Sequence, residues 1–539
     1  MSAAADAGGR APTAAPAISP WVVAPTVGLA AFMEVLDISI VNVSLQHVAG
    51  SLAATPDEAT WILTAYLVTN AIVLPISGWL SRAVGRKRYF LGSIVGFSIA
   101  SLFCGLAPTL GLLIVARGLQ GIAGGGLQPT AQAFLADAFP PEKRGQAFAM
   151  YGLAVVFAPA IGPTVGGWIT DHMTWRWVFL INVPVGIVVS LLAMRLLADP
   201  PEEAAARRAR AQAGQGLNLD YIGFALLVVG MCALQIVLDK GQEDDWFASP
   251  FITDLSVVAF FGLAALIVWE LRRPDPIVDL HLFRNRSFAV GNLLMFMLGF
   301  ALLGTTVLLP LFVQTLLGYT AEQAGLVLSP GGFAIMFMMP VVGALSGRID
   351  MRLLITAGLI GTAVAMFHMS GFNLNVDFST LAWARVYQSL GLALLFIPIN
   401  TAAYQGVPAD KNANASAMIN MMRNIGGSVG IAVLTTYLAR REQANQALLT
   451  RHVTSYGAPT NALLHKLQQA ALAAHASAGA ALHQAEAQIY AMVQRQAAVL
   501  SYIDAFWLVG AVLVAMIPLV LLLRRPKPGS TPLEHMGGD

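Results

Sequence analysis

Residues 31–42 read AFMEVLDISIVN, and they lie inside the first long apolar run of the chain. Glu34 and Asp37 therefore stand where a bilayer's hydrocarbon would be. Three residues apart on a helix, they share one broad face. A charge at that depth costs roughly 2.5–3.5 kcal/mol on insertion scales. A chain that needed only an anchor would carry leucine there. The pair points to a face that binds and releases protons, with the remaining helices building an alternating pathway around it.

The rest of the 539 residues support that setting. Hydrophobic residues make up 57% and charged residues only 11%, far below the share in soluble proteins. Mean hydropathy is +0.68. The expected fold class is an all-α polytopic membrane protein. The net charge of +2 gives no support for nucleic-acid binding. Cys104 and Cys232 both lie in apolar runs and exclude a disulfide framework or a cysteine metal cluster. No metal ligand set, cofactor site or catalytic cluster is expected. GxGxxG in a βαβ context, Walker A, HExxH and GxSxG are all absent from the sequence, so energy must come from an ion gradient.

A bilayer-crossing helix needs about 20 apolar residues. Fourteen runs qualify, near 21–43, 57–78, 88–107, 109–131, 145–169, 177–197, 220–239, 252–271, 288–311, 323–346, 352–371, 379–404, 415–439 and 502–523. Alternate loops carry Arg82, Arg86, Lys87 and Arg88, then Lys143 and Arg144, then Arg207, Arg208 and Arg210, then Arg272 and Arg273. The opposite short loops carry chiefly Arg176 and Lys240. Positive residues stay in the cytoplasm, so both termini are expected there.

Internal repetition sets the domain plan. Gly78-Trp-Leu-Ser81 returns as Gly343-Ala-Leu-Ser346, and Arg117-Gly-Leu-Gln120 returns as Arg385-Val-Tyr-Gln388. The two separations, 265 and 268 residues, imply two related six-helix bundles. The expected plan is a disordered cytoplasmic tail at 1–20, a first bundle at 21–198 and a cytoplasmic linker at 199–219. An inserted helix pair at 220–271 follows, then a second bundle at 288–523 and a cytoplasmic tail at 524–539. Within the second bundle, 440–501 is hydrophilic, rich in Ala, Gln and His, and expected to form a helical hairpin on the outer side. Its histidines, His452, His465, His475 and His483, are spaced too widely for a compact ligand set.

Several stretches then become candidates for function. In GWLSRAVGRKRYF (78–90), Gly78 and Gly85 permit a tight turn and close approach, and Arg86 belongs to the basic cluster. The stretch holds the loop in the cytoplasm, and its recurrence adds a gating role. In LLIVARGLQGIAGGGLQP (112–129), Arg117 needs a partner or a watery cavity. It is either a structural hydrogen-bond hub, with Gln120 one turn on, or the cation that keeps the helix 1 carboxylates ionised. In APAIGPTVGGWI (158–169), Pro159 and Pro163 bend the helix. Gly162, Gly166 and Gly167 give a small-residue face, suited to packing or to a rocking interface between bundles. In the second bundle Arg385 and Arg423 are buried cations that contact substrate, counter a carboxylate or tie helices together. Gln314, Gln388, Asn400 and Asn420 are polar wall candidates. Methionines such as Met295, Met297, Met336, Met338 and Met339 suit either ordinary core or a promiscuous apolar surface.

Taken together these stretches resemble the major facilitator superfamily, and within it the fourteen-helix drug:proton antiporter branch of the EmrB/QacA type. LDISIVNVSLQ, GWLSRAVGRKR, RGLQG, GPTVGG, WRWVFLINVPVG and ASAMINMMRNIGGSVG carry the resemblance, which covers about 21–525. One departure is Arg82, which stands where the family's helix 2–3 motif usually has an acid. The resemblance implies two six-helix bundles plus an inserted pair, in a bacterial cytoplasmic (inner) membrane. It implies export of hydrophobic or amphipathic small molecules in exchange for protons by alternating access. It also implies a periplasmic adaptor and an outer-membrane channel as partners. Asp37 is then the coupling residue, and Glu34 either shares its proton or widens selectivity towards cations. The alternatives are a proton-coupled importer of the same fold and an intramembrane lipid-modifying enzyme.

Overall fold

The computed structural model describes residues 19–140, 143–199, 220–273, 276–346, 348–454, 457–474 and 477–523. The expected tails, apart from Ser19 and Pro20, which starts α1, and nearly all of the expected linker, together with His475, lie outside these residues. Among the described residues the regular elements are all helical.

Helices α1 (Pro20–Ser51), α2 (Pro56–Val84), α3 (Arg86–Leu106), α4 (Leu110–Gly124), α5 (Leu127–Ala138), α6 (Arg144–His172), α7 (Trp177–Leu180) and α8 (Asn182–Leu196) come first. They are followed by α9 (Tyr221–Lys240) and α10 (Pro250–Arg272). Then come α11 (Arg286–Thr315), α12 (Ala321–Leu345), α13 (Met351–Met369), α14 (Phe378–Ala403), α15 (Asn412–Thr450), α16 (Ala458–Ala473) and α17 (Ala478–Val520). Among the described residues twelve spans are long and apolar enough to cross a membrane, or thirteen when the two arms of α6 count as one. The expected span at 415–439, in α15, is not among them. Asn412, Asn414, Ser416, Asn420 and Arg423 dilute its apolar character, and all five are buried against other helices.

Local chemistry sets the ends of these helices. Thr55 and Glu58 form a capping box at the start of α2, and Thr320 and Gln323 form another at α12. Gly85, with φ of +104°, makes the sharp turn from α2 into α3. The span 110–138 is broken at Gly124–Gly126 into α4 and α5. The arms of α6 meet at 43°, between Pro159 and Ile161. A proline inside a helix removes one backbone hydrogen bond and crowds the preceding turn, which accounts for the bend.

Helix α1 packs on α6, α5 and α8, while α4 packs on α2 and α3. Helix α11 packs on α15 and α14, α13 on α14 and α17, and α12 on α14. Between these two groups the main contacts are α6 with α12, and α2 and α5 with α15. Helices α9 and α10 pack on each other, and α9 also touches α2 and α15. Asp239 and Lys240 of α9 bond Thr64 and Thr60 of α2, while Gln235 reaches Ser428 of α15 at 2.9 Å. Past the end of α9, Trp246 donates to Thr436 of α15 at 2.9 Å. The inserted pair thus joins both groups.

Helices α15 and α17 run on past the apolar zone. They are tied there by Arg441–Asp504 at 2.5 Å and Asn445–Ser501 at 3.1 Å. Helix α16 packs along α17 and has no buried residue.

The approach of α4 to α2 depends on Gly121. A Cβ there would collide with Thr69 Oγ1 and with the carbonyl oxygen of Tyr66. Backbone cannot move aside cheaply, so Gly121→Val is expected to destabilise the protein by about 1–3 kcal/mol. Thermal unfolding in detergent measures it, with Gly167→Ala as the neutral control, because that Cβ would meet open space.

Candidate functional site

The two carboxylates of α1 face different neighbours. Asp37 is fully buried and accepts three side-chain hydrogen bonds. Arg117 Nη1 on α4 donates to Oδ2 at 2.6 Å; Gln120 Nε2 and Asn182 Nδ2 donate to Oδ1 at 3.0 and 2.7 Å. Arg117 also donates to Gln120 Oε1 at 2.8 Å and to the Ile62 carbonyl at 3.3 Å. Its guanidinium lies 4.4 Å from the Tyr66 ring centroid. Asn182 in turn holds Ser101 of α3 at 3.1 Å. Every group bonded to Asp37 is a donor, so this cluster suits an ionised carboxylate. Burial makes the ion pair strong in attraction and costly to break.

Glu34 is also buried, but its neighbourhood is incomplete. Asn70 Nδ2 and the Tyr66 hydroxyl of α2 donate to Oε1 at 3.1 and 3.4 Å, while Oε2 has no hydrogen-bond partner. Gln128 of α5 and the charge of Arg423 on α15 also bear on Glu34, and Arg423 donates to Gln128 Oε1. Tyr66 links the two environments, with its hydroxyl on Glu34 and its ring under Arg117.

Below Glu34, towards the end bearing the basic loops, α5 and α15 are joined by a ladder. Gln128 pairs with Arg423, and Asn420 Nδ2 donates to Gln132 Oε1 at 2.9 Å. Ser416 donates to the Pro129 carbonyl, and Asn412 donates to Asp137 Oδ1 at 2.5 Å. Asp137 also pairs with Arg86, which is completely buried and bonds the Ala133 carbonyl at 3.2 Å. Gly78 of α2 lies against Asn414 of α15, and a Cβ there would come within 2.9 Å of backbone atoms. On the other flank Gly145 meets Ser346, and Phe148 stacks on Tyr404 with centroids 5.5 Å apart. The two groups of helices are closed against each other at the basic end.

Several residues singled out from sequence fall elsewhere. Gly162 and Gly166 pack on Ser39 and Ile40 of α1, inside the first group, so they do not form an interface between bundles. Gly167 faces open space, and Pro163 lies in the second arm of α6, past the bend. Contact with the second group comes from Thr164, which bonds Ser329 of α12 at 3.2 Å, and from Phe157 on Phe333. Gln314 is exposed at the end of α11 and is not a buried wall residue. Asn400 is buried but bonds the Phe396 carbonyl of its own helix at 3.0 Å. Arg385 donates to Gln388 at 2.5 Å, within α14.

Sequence reasoning missed Asn70, Gln128, Gln132, Asp137 and Asn182. Gln128 and Gln132 stand four residues apart in an apolar span, a signal of one polar helix face. Asn182 had no comparable local signal, because its partner lies 145 residues away.

Comparison with known proteins agrees with this architecture. The family model described as Major Facilitator Superfamily matches residues 27–431. The multidrug export protein EmrB of Escherichia coli K12 is 36% identical over 499 residues, covering 92% of this chain and 94% of that protein. The fatty acid resistance protein FarB of Neisseria gonorrhoeae is 37% identical over 508 residues, covering 94% and 96%. Among solved structures, the proton:xylose symporter XylE superposes with a TM-score of 0.59 at 13% identity, over 93% of this chain and 94% of that one. At that identity the likeness concerns the fold alone.

Proposed function

Because the chain belongs to the major facilitator superfamily, we propose that it is a multidrug efflux transporter that exchanges hydrophobic or amphipathic compounds for protons by alternating access. The names of its relatives support the substrate class: one exports multiple drugs and another confers resistance to fatty acids. The chain is a multi-pass membrane protein. The basic end is the cytoplasmic one by the distribution of Lys and Arg, which puts both termini in the cytoplasm of a bacterial inner membrane. The sealed ladder at that end then corresponds to a state closed to the cytoplasm.

The observation that carries the reading is the position of Arg117. From α4 it pairs with Asp37 on α1, and the same broken span continues as α5, which bears Gln128, Gln132 and Asp137 of the ladder. A proton on Asp37 neutralises the one carboxylate that Arg117 holds among the described residues. Arg117 must then find other partners, and α4 shifts against α1. The break at Gly124–Gly126 passes that shift to α5 and changes its fit on α15. Proton exchange and opening of the cytoplasmic end are thereby one event, with drug and proton alternating on the same bundle.

Proteoliposomes with an imposed pH gradient test this reading. Wild type is expected to move ethidium against its gradient, and Asp37→Asn is expected to leave only downhill movement. Uphill export by Asp37→Asn would overturn the role of Asp37. Helices α15, α16 and α17 project from the outer side and present an exposed surface that mixes Ala and Leu with Gln, His, Lys and Arg side chains. We assign that surface to a periplasmic adaptor protein that leads to an outer-membrane channel.

A further inference from the structure

The second group of helices rebuilds the Asp37 cluster without its carboxylate. Arg385 and Gln388 each follow Arg117 and Gln120 by 268 residues, and the residue 268 positions after Asp37 is Thr305. The geometry repeats as well as the spacing. Arg385 Nη1 donates to Gln388 Oε1 at 2.5 Å, as Arg117 does to Gln120. Gln388 Nε2 donates to Thr305 Oγ1 at 2.6 Å, as Gln120 does to Asp37. The charge does not repeat. Thr305 is neutral, and its hydroxyl hydrogen is committed to the Ala301 carbonyl at 2.6 Å.

Arg385 is therefore a cation without a counter-ion. It is 4% exposed, its Nε has no hydrogen-bond partner, and no carboxylate among the described residues pairs with it. One residue past Gln388, the fully buried Ser389 hydroxyl also lacks a partner. Both sit beside Gly331 of α12, where a Cβ would come within 2.7 Å of Arg385 Cγ and 2.5 Å of Ser389 Oγ. An arginine keeps its proton even when buried, so the charge cannot be lost by titration. A buried ion left without a counter-charge is destabilising.

We propose that Arg385 and Ser389 form an anion-binding site that receives the carboxylate of an amphipathic organic acid in the place that Asp37 fills in the first group. The guanidinium fork suits a planar carboxylate, and the serine hydroxyl adds one more donor. The site gives the transporter a class of acidic cargo, and in that respect the assignment rests on the efflux reading above. The missing aspartate also defines the decisive variant. Thr305→Asp supplies the carboxylate from the protein itself and competes with any carboxylate from outside.

The test has a binding arm and a transport arm. Purified protein in detergent is titrated with octanoate, acetate or chloride at constant ionic strength, and its unfolding temperature is followed. Octanoate and acetate are expected to stabilise wild type saturably, and neither is expected to stabilise Thr305→Asp or Arg385→Gln. Without any added anion, Thr305→Asp is expected to unfold at a higher temperature than wild type. Equal stabilisation of wild type and Thr305→Asp would overturn the proposal. Stabilisation by chloride but not by either carboxylate would overturn the assignment of a carboxylate.

In proteoliposomes the ratio of octanoate to ethidium export is expected to fall about tenfold in Thr305→Asp, a difference of roughly 1.4 kcal/mol. An unchanged ratio overturns the proposal while leaving the efflux reading intact. If wild type exports neither compound, the efflux reading fails, and the binding arm still decides whether the anion site exists.

Discussion

Arg117→Met will destabilise the folded protein by about 3–5 kcal/mol and abolish export, because it strands Asp37 as an unpaired charge among buried side chains. Asp37 would keep the Gln120 and Asn182 amides but lose the guanidinium at 2.6 Å. Arg117 would likewise be stranded by Asp37→Leu, with the Tyr66 ring and the Ile62 carbonyl as its remaining contacts on α2. The double variant Asp37→Leu/Arg117→Met removes both charges together. It should recover most of the lost stability, since a well-packed apolar pair is often no worse than a buried ion pair. It should recover no proton-driven export. Thermal unfolding and proteoliposome transport, measured on the same preparations, separate the two effects. If the double variant is as unstable as either single one, the cluster is held by shape and not by charge. If it transports, proton coupling lies elsewhere.

Glu34→Gln is expected to act on selectivity. The residue has one unpartnered oxygen, lies near Gln128 of its own group, and faces Arg423 across the boundary between the two groups of helices. A carboxylate there attracts a cationic compound, and a glutamine of the same shape does not. At about 4 Å and an effective dielectric near 20, the attraction is on the order of 4 kcal/mol before desolvation is subtracted. We expect the ratio of ethidium export to export of a neutral dye to fall at least about tenfold, while the pH gradient still drives the neutral dye. Loss of both in equal measure would place Glu34 in the coupling step with Asp37. Glu34→Asp, which keeps the charge but shortens the reach, should fall between wild type and Glu34→Gln.

These two predictions divide a pair of residues that share one quoted stretch. On an α-helix three residues advance the chain by about 300°, so Glu34 and Asp37 point about 60° apart. That angle is small enough to read as one face in sequence. It is large enough to aim one carboxylate at α4 and α8 and the other at α2 and the boundary with α15. The same limit explains the glycines of α6. Their spacing correctly announced a close helix contact, but spacing does not name the partner, and the partner is α1.

By itself the amino-acid order determined the membrane-spanning helices, the internal repeat and the residues that had to be exceptional, Glu34, Asp37, Arg117, Arg385 and Arg423. These are consequences of hydropathy, helical period and the cost of buried charge, all of which act locally or along one span. Only the tertiary structure decided which exceptions meet. It joined Asp37 to Arg117, Gln120 and Asn182, laid Gln128, Gln132 and Asp137 against α15, and left Arg385 beside a neutral Thr305. Such pairings depend on the rotation and depth of helices that lie from 80 to 295 residues apart in the chain. No periodicity within one helix specifies the rotation of another, so polar contacts between helices become visible only when the helices are packed.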